Sequence, residues 1–218
     1  LINGLTQSWS LATELSFYLA LPAIAWLVGR RHRGDVDRSV QWQLRILAAG
    51  GLITFLWLLM RTAVPPVRTF GVVNMWLPNY LDWFAVGMLL ALVHNRLRLA
   101  DPPAWMLRLN ALADDVGTCL VLAAGFFLLA TTPIAGPYTF GEGSASQAFA
   151  RHYLYLAAAA CFVLPGFLGT DGWGAWRRFL ASPLMVYLGT ISYGIFLWHL
   201  FVLESVSHLI GIPSFNGW

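Results

Sequence analysis

The hydrophobic positions of this chain are gathered into long runs separated by shorter polar, arginine-bearing segments. Six runs approach the roughly 20 apolar residues that a helix needs to cross a bilayer core: residues 9–28, 46–63, 77–94, 116–133, 151–168 and 184–204. The second is short between Arg45 and Arg61, but long arginine side chains can snorkel to either interface. The fifth opens on Arg151-His152 and is interrupted by Pro165-Gly166, which leaves its limits soft. The pattern predicts an all-α, polytopic membrane helix bundle with about six transmembrane helices, and residues 1–218 forming a single integral-membrane domain.

Composition supports that class. Residues are 58% hydrophobic and 11% charged, whereas about a quarter of an ordinary soluble domain is charged. A soluble fold of this size could not hide so much apolar surface. Every basic residue is arginine, and the arginines give an orientation. Arg30, Arg31, Arg33, Arg38 and Arg45 follow the first run, Arg96, Arg98 and Arg108 the third, and Arg177 and Arg178 the fifth. Only Arg61, Arg68 and Arg151 fall on the other side. By the positive-inside rule the first set is cytoplasmic and both termini are outside, which puts residue 14 in the outer half of its helix. This asymmetry also accounts for the net charge of +3 without a polyanionic partner.

Several chemistries are excluded by what is missing from the sequence. It has no CxxC, no HExxH, no phosphate-cradling glycine motif and no basic–aromatic patch, so metal, bound cofactor and nucleic acid are not expected. Cys119 and Cys161 sit inside apolar runs and read as buried thiols rather than a disulfide or metal pair. Trp9, Trp26, Trp76, Trp105 and Trp198 lie near run ends and suit an interfacial aromatic belt. The small, glycine-rich stretch 134–148 reads as an outer connector or as a cover over an outward-facing site. The chain opens at Leu1 already at the mouth of a helix, without methionine or a charged leader, so it is expected to be a piece of a longer protein.

Three stretches hold chemistry. In Trp9-Ser10-Leu11-Ala12-Thr13-Glu14-Leu15-Ser16-Phe17-Tyr18 a carboxylate enters the opening turns of a membrane helix. An acid at membrane depth costs roughly 2.5–3.5 kcal/mol on insertion scales and usually faces protein or a wet cavity. Ser10, Glu14 and Tyr18 share one helix stripe, which makes Glu14 the first catalytic candidate, able to orient or deprotonate a hydroxyl or to hold a histidine. Asp82 is a second acid at a membrane boundary, with Gly87 beyond it for close packing. In the last run Ser192 and His199 share a face seven residues apart. His32, His94, His152 and His208 lie in loops or at run ends and rank lower.

These stretches carry a resemblance. Trp9-Ser10-Leu11-x-x-Glu14-x-x-Phe17-Tyr18 resembles the signature helix of the membrane-bound acyltransferase family 3. Leu81-Asp82-Trp83-Phe84-Ala85-x-Gly87-Met88 resembles that family's middle segment, and Ile191-Ser192-Tyr193-Gly194-Ile195-Phe196-Leu197-Trp198-His199 its closing helix. The resemblance implies a C-terminal portion, about six helices of a roughly ten-helix bundle, with the N-terminal helices absent. It further implies transfer of an acyl group, acetyl by preference, from an acyl-coenzyme A co-substrate to a hydroxyl of a carbohydrate, envelope or macrolide-like acceptor. The site would combine Glu14 as the catalytic acid with Trp9, Ser10, Tyr18, Asp82, Ser192 and His199 around the substrates. No residues for a bound cofactor are indicated. The histidine that acts as base in the family would lie upstream of Leu1, so the segment by itself is expected to be nearly inert. The implied location is the cytoplasmic membrane, multi-pass, in contact with the lipid bilayer. A polytopic transporter or scaffold without acyl transfer is the competing class.

Overall fold

The computed structural model describes residues 8–31, 35–63, 75–136, 144–169 and 174–210. Among them every regular element is helical. In chain order these are α1 (Ser8–Arg31), α2 (Val36–Ala63), α3 (Leu81–Leu97), α4 (Ala104–Asp114), α5 (Val116–Ala130), α6 (Ala145–Phe167), α7 (Ala175–Leu180) and α8 (Pro183–Leu209). Short 3-10 turns at Leu77–Asn79 and Pro133–Ala135 lead into α3 and follow α5.

The expectation of about six membrane spans is not confirmed among the described residues. Two of the described helices, α2 and α6, are long and apolar enough to cross a bilayer, and up to four spans result if each of two bent pairs counts as one. The reason lies in lengths and breaks. The third predicted span becomes a 17-residue helix, about 26 Å long at 1.5 Å per residue, against a hydrocarbon core of about 30 Å. The fourth is joined to a helix at Ala104–Asp114, in a stretch read from the sequence as a loop, through an 87° bend. The bend falls at Asp115, whose carboxylate accepts the Thr118 backbone N–H at 3.0 Å and its hydroxyl at 2.6 Å, and so starts α5 as an N-cap. The last predicted span changes direction by 52° between Pro183–His199 and Phe201–Leu209.

Four of the five arginines expected in the first cytoplasmic loop lie instead on helices, Arg30 and Arg31 at the end of α1 and Arg38 and Arg45 on α2. α2 begins ten residues before the predicted run and carries Arg38 and Arg45 within its first three turns. α6 likewise begins early, at a capping box in which the Ser144 hydroxyl and the Gln147 side chain satisfy each other's backbone N–H groups. It also runs on through Pro165 to Phe167, past the interruption the sequence suggested. Both cysteines are free thiols, Cys119 buried and Cys161 half-buried.

The most extensive helix pairings are α5 with α6 and α2 with α3. The buried apolar cluster draws Val40, Leu90, Val93, Met106, Cys119 and Leu164 from five helices, and it lies toward the arginine-rich end. Two arginines fasten that end. Arg96, 7% exposed, donates to the carbonyls of Ala100 at 2.7 Å and Asp101 at 3.0 Å and to Asp37 Oδ1 at 3.2 Å, joining α3 to the start of α2. These bonds meet the Nη donors of the buried guanidinium, while its Nε has no partner among the described residues. Arg177 caps the last turn of α6, donating from Nε to the Pro165 carbonyl at 3.2 Å and from Nη2 to the Leu168 carbonyl, where a cation also complements the helix dipole.

Gly169 closes this corner with φ +115°, and its N–H donates to Asn110 Oδ1 at 2.7 Å. A Cβ there would stand 2.6 Å from Arg177 Nη2 and 2.7 Å from Asp114 Oδ1. Gly169→Ala is therefore expected to cost roughly 1–3 kcal/mol of stability through backbone strain and displacement of the arginine cap. Gly51→Ala is the control: it lies inside α2 with nothing within 4 Å of the added Cβ, and should be neutral or stabilising by up to about 1 kcal/mol. Apparent melting temperatures in detergent compare the two.

Candidate functional site

A carboxylate buried in an apolar bundle needs a partner, and Asp82, the buried acid among the described residues, has one. Asp82 is 6% exposed, in the first turn of α3. Its Oδ2 lies 2.7 Å from His152 Nε2 on α6, and both side chains are 8% exposed. Its Oδ1 accepts the backbone N–H of Trp83 at 2.9 Å. The Asp82 backbone N–H donates in turn to the hydroxyl of Thr54 on α2, a fully buried residue, at 3.2 Å. Thr54 holds its own place by donating to the Gly50 carbonyl at 3.3 Å. Three helices therefore meet at one residue, α6 at its carboxylate and α2 at its backbone N–H.

Where the carboxylate is ionised and the imidazole neutral, this hydrogen bond requires the proton on Nε2 and leaves the lone pair on Nδ1. Nδ1 has no hydrogen-bond partner among the described residues. The ring is fixed on two further sides by aromatic edges: Trp83 at 6.0 Å and Tyr153 at 5.1 Å between centroids, both near perpendicular. The indole Nε1 of Trp83 is buried and also has no partner among the described residues. Above this point the α5–α6 connector folds back on α6. Gln147 donates to the Pro133 carbonyl at 3.0 Å and Arg151 Nε to the Ala135 carbonyl at 2.8 Å. Much of the glycine-rich cover suggested by the sequence falls on residues 137–143, outside the described residues.

The other sequence candidates are placed differently. The buried acid expected at Glu14 is not observed: Glu14 is exposed. In α1 the inward positions are Thr13 and Phe17, one helical turn apart. Thr13 Oγ1 donates to the Met75 carbonyl at 2.7 Å, and Phe17 stacks on Phe84 of α3 at 3.9 Å and 12°. A helix rotates by about 100° per residue, so fixing Thr13 and Phe17 inward turns Glu14 and Tyr18 out. Ser10 is half-exposed and Tyr18 57% exposed. The Ser10–Glu14–Tyr18 stripe exists, therefore, on the outer side of α1 and level with Asp82, but not in contact with it. Trp9 lies in the first turn of α1, and its side chain is outside the described residues. In α8 the Ser192 hydroxyl donates to Gly189 O at 2.7 Å, and His199 Nδ1 lies 2.6 Å from Phe196 O. Each is engaged with its own helix rather than with the other.

A model of the family described as "Acyltransferase domain" matches residues 1–218. The chain belongs to acyltransferase family 3. Comparison with curated proteins and with solved structures returned no match. Membership makes the protein a membrane acyltransferase, and the apolar helices of an all-helical fold agree with membrane integration.

In this acyltransferase, His152, which the sequence ranked low, is the residue that the fold brings to Asp82. A signal for it exists: Asp82 and His152 each sit near the start of a run, and in the alternating topology those two starts share one side of the membrane. Removing Asp82 leaves the His152 N–H buried without an acceptor, which typically costs about 1–3 kcal/mol. Asp82→Ala is expected to lower stability by that amount, and Thr54→Val by about 1 kcal/mol. Thermal unfolding of the two variants in detergent measures both.

Proposed function

We propose that this acyltransferase moves an acyl group, acetyl by preference, from acyl-coenzyme A to a hydroxyl of a carbohydrate, cell-envelope or secondary-metabolite acceptor, within the cytoplasmic membrane. The observation that carries the reading is the family match along all 218 residues. A buried Asp82–His152 pair in an otherwise apolar bundle is consistent with it, because a positioned acid–base group is what hydroxyl activation requires.

In the proposed reaction the acceptor oxygen attacks the thioester carbonyl directly and no covalent enzyme intermediate forms. Glu14, on the outer side of α1, orients the acceptor or an imidazole that meets it there. Trp9, Ser10 and Tyr18 contribute contacts from the same helix, Asp82 from α3, and Ser192 and His199 from α8. The exposure of Glu14 suits a group that engages a substrate or another helix. The transporter reading draws on the same buried pair, since intramembrane Asp and His also relay protons. Fate of the thioester separates the two: an acyltransferase releases coenzyme A thiol and labels the acceptor, whereas a transporter leaves acyl-coenzyme A intact.

Membranes of cells expressing the full-length protein are expected to transfer label from radioactive acetyl-coenzyme A to envelope material, with release of free thiol, whereas residues 1–218 alone are expected to be nearly inert. Intact thioester beside solute movement would contradict the proposal. In the same assay Glu14→Gln should lose on the order of 10²–10⁴-fold in rate while the protein still accumulates in the membrane. A variant with the wild-type rate would remove Glu14 from the site.

A further inference from the structure

We infer that the corner where α3 and α6 end against α7 binds the phosphate of an anionic membrane lipid, with Arg98 and His94 as its donors and Arg177 as a fixed charge in the wall. The inference goes beyond acyl transfer and does not depend on it, since it concerns the arginine-rich end of the bundle.

A cavity of about 470 Å³ opens at this corner, within the range that takes small ligands. His94 and Arg98 line it from the last turn of α3 and its cap, Phe167 from the end of α6, and Arg177 and Leu180 from α7. Two arginines and a histidine therefore face one space, and among the described residues no acid lines it. Asp114, the acid of this corner, stands with Arg177 at Gly169.

The three basic groups differ in what the fold asks of them. Arg177 is spent on the Pro165 and Leu168 carbonyls of α6, which holds its charge in place. Arg98 is exposed, and its side chain has no hydrogen bond or ion pair among the described residues, only its backbone N–H being used, by Asn95. The carbonyls that follow α3, at Ala100 and Asp101, are already met by Arg96, so Arg98 is not needed to close that helix. His94 is half-buried, and its ring likewise has no hydrogen-bond partner among the described residues. A guanidinium and an imidazole held at one cavity with their N–H groups uncommitted are donors suited to phosphate oxygens.

The setting selects lipid phosphate over soluble phosphate. The positive-inside rule puts this end at the cytoplasmic face, where the leaflet is anionic and basic pockets between membrane helices hold lipid headgroups. The surface around the cavity is apolar: Phe167 and Phe179 are each 51% exposed and Leu184, at the start of α8, 62% exposed. α7 sets Trp176 and Phe179 beside Arg177 and Arg178, the mixture of aromatic and cationic side chains found at membrane interfaces. A headgroup held by Arg98 and His94 leaves its acyl chains against these side chains, which a soluble phosphate would not use.

The test is the melting temperature of the purified protein in neutral detergent, titrated with phosphatidylglycerol, phosphatidylcholine, inorganic phosphate or acetyl-coenzyme A. Wild type is compared with Arg98→Ala, His94→Phe and Arg178→Ala. Arg178 is exposed on the same short helix and does not line the cavity, so it reports charge attraction in general. Phosphatidylglycerol should raise the wild-type melting temperature more than phosphatidylcholine does. The half-maximal effect should need about fivefold more lipid in Arg98→Ala, a smaller excess in His94→Phe, and no excess in Arg178→Ala. Without lipid, Arg98→Ala should melt near wild type, because its side chain makes no contact for the fold to lose. An unchanged midpoint in Arg98→Ala, equal stabilisation by the two lipids, or an equal shift in Arg178→Ala would overturn the inference. So would a response to inorganic phosphate or acetyl-coenzyme A that depends on Arg98 as strongly, which would make a soluble phosphate the occupant.

Discussion

The hydrogen bond between Asp82 and His152 is the constraint on which the described structure turns. A carboxylate away from water must have its oxygens met, and here an imidazole and a backbone N–H meet them. Because the imidazole stands on α6 and the carboxylate on α3, satisfying the acid fixes one helix against the other. Thr54 extends the requirement to α2. In a bilayer there is little hydrophobic drive between helices, so such polar contacts and close packing set which helices meet and in what register. The same contact that orders three helices also leaves an imidazole nitrogen presented in a fixed direction.

The two ends of the bundle divide the work. At the arginine-rich end, Arg96 and Arg177 are spent on backbone carbonyls, and the apolar cluster is densest. Those arginines close helix ends and buried loops, and none of those contacts is available to a substrate. Both ends keep a buried donor without a partner among the described residues: Trp83 Nε1 beside Asp82, and Arg96 Nε at the arginine-rich end. α1 is held to α3 by Thr13 and the Phe17–Phe84 stack at the level of Asp82, so the Glu14 stripe and the Asp82–His152 pair occupy the same end on different faces.

Much of this was legible in the sequence. Hydrophobic runs gave the helical class and the approximate positions of the long helices, and the three motif stretches gave the family. Span number was not legible, because run length counts apolar residues and is blind to direction. The turn at Asp115 and the change of direction in α8 interrupt runs that read as continuous. Burial of individual acids was not legible either. Glu14 looked buried because its neighbours in sequence are apolar, yet which side of α1 faces inward was decided by Thr13 and Phe17 finding partners on the segment leading into α3 and on α3 itself. Asp82 and His152 are 70 residues apart, and nothing local in either stretch names the other. Shared membrane depth was the one available clue, and it depended on the orientation drawn from the arginines.

The most direct measurement is the tautomer of His152. Nitrogen-15 shifts of labelled histidine in lipid-embedded protein, at a pH where imidazole is neutral, distinguish a proton on Nε2 from one on Nδ1, and comparison with Asp82→Asn assigns the His152 signals among the five histidines. A neutral imidazole oriented by Asp82 carries its proton on Nε2, with a strong hydrogen bond that weakens in Asp82→Asn and an unprotonated Nδ1. A proton on Nδ1, or signals indifferent to the Asp82 substitution, would contradict the arrangement.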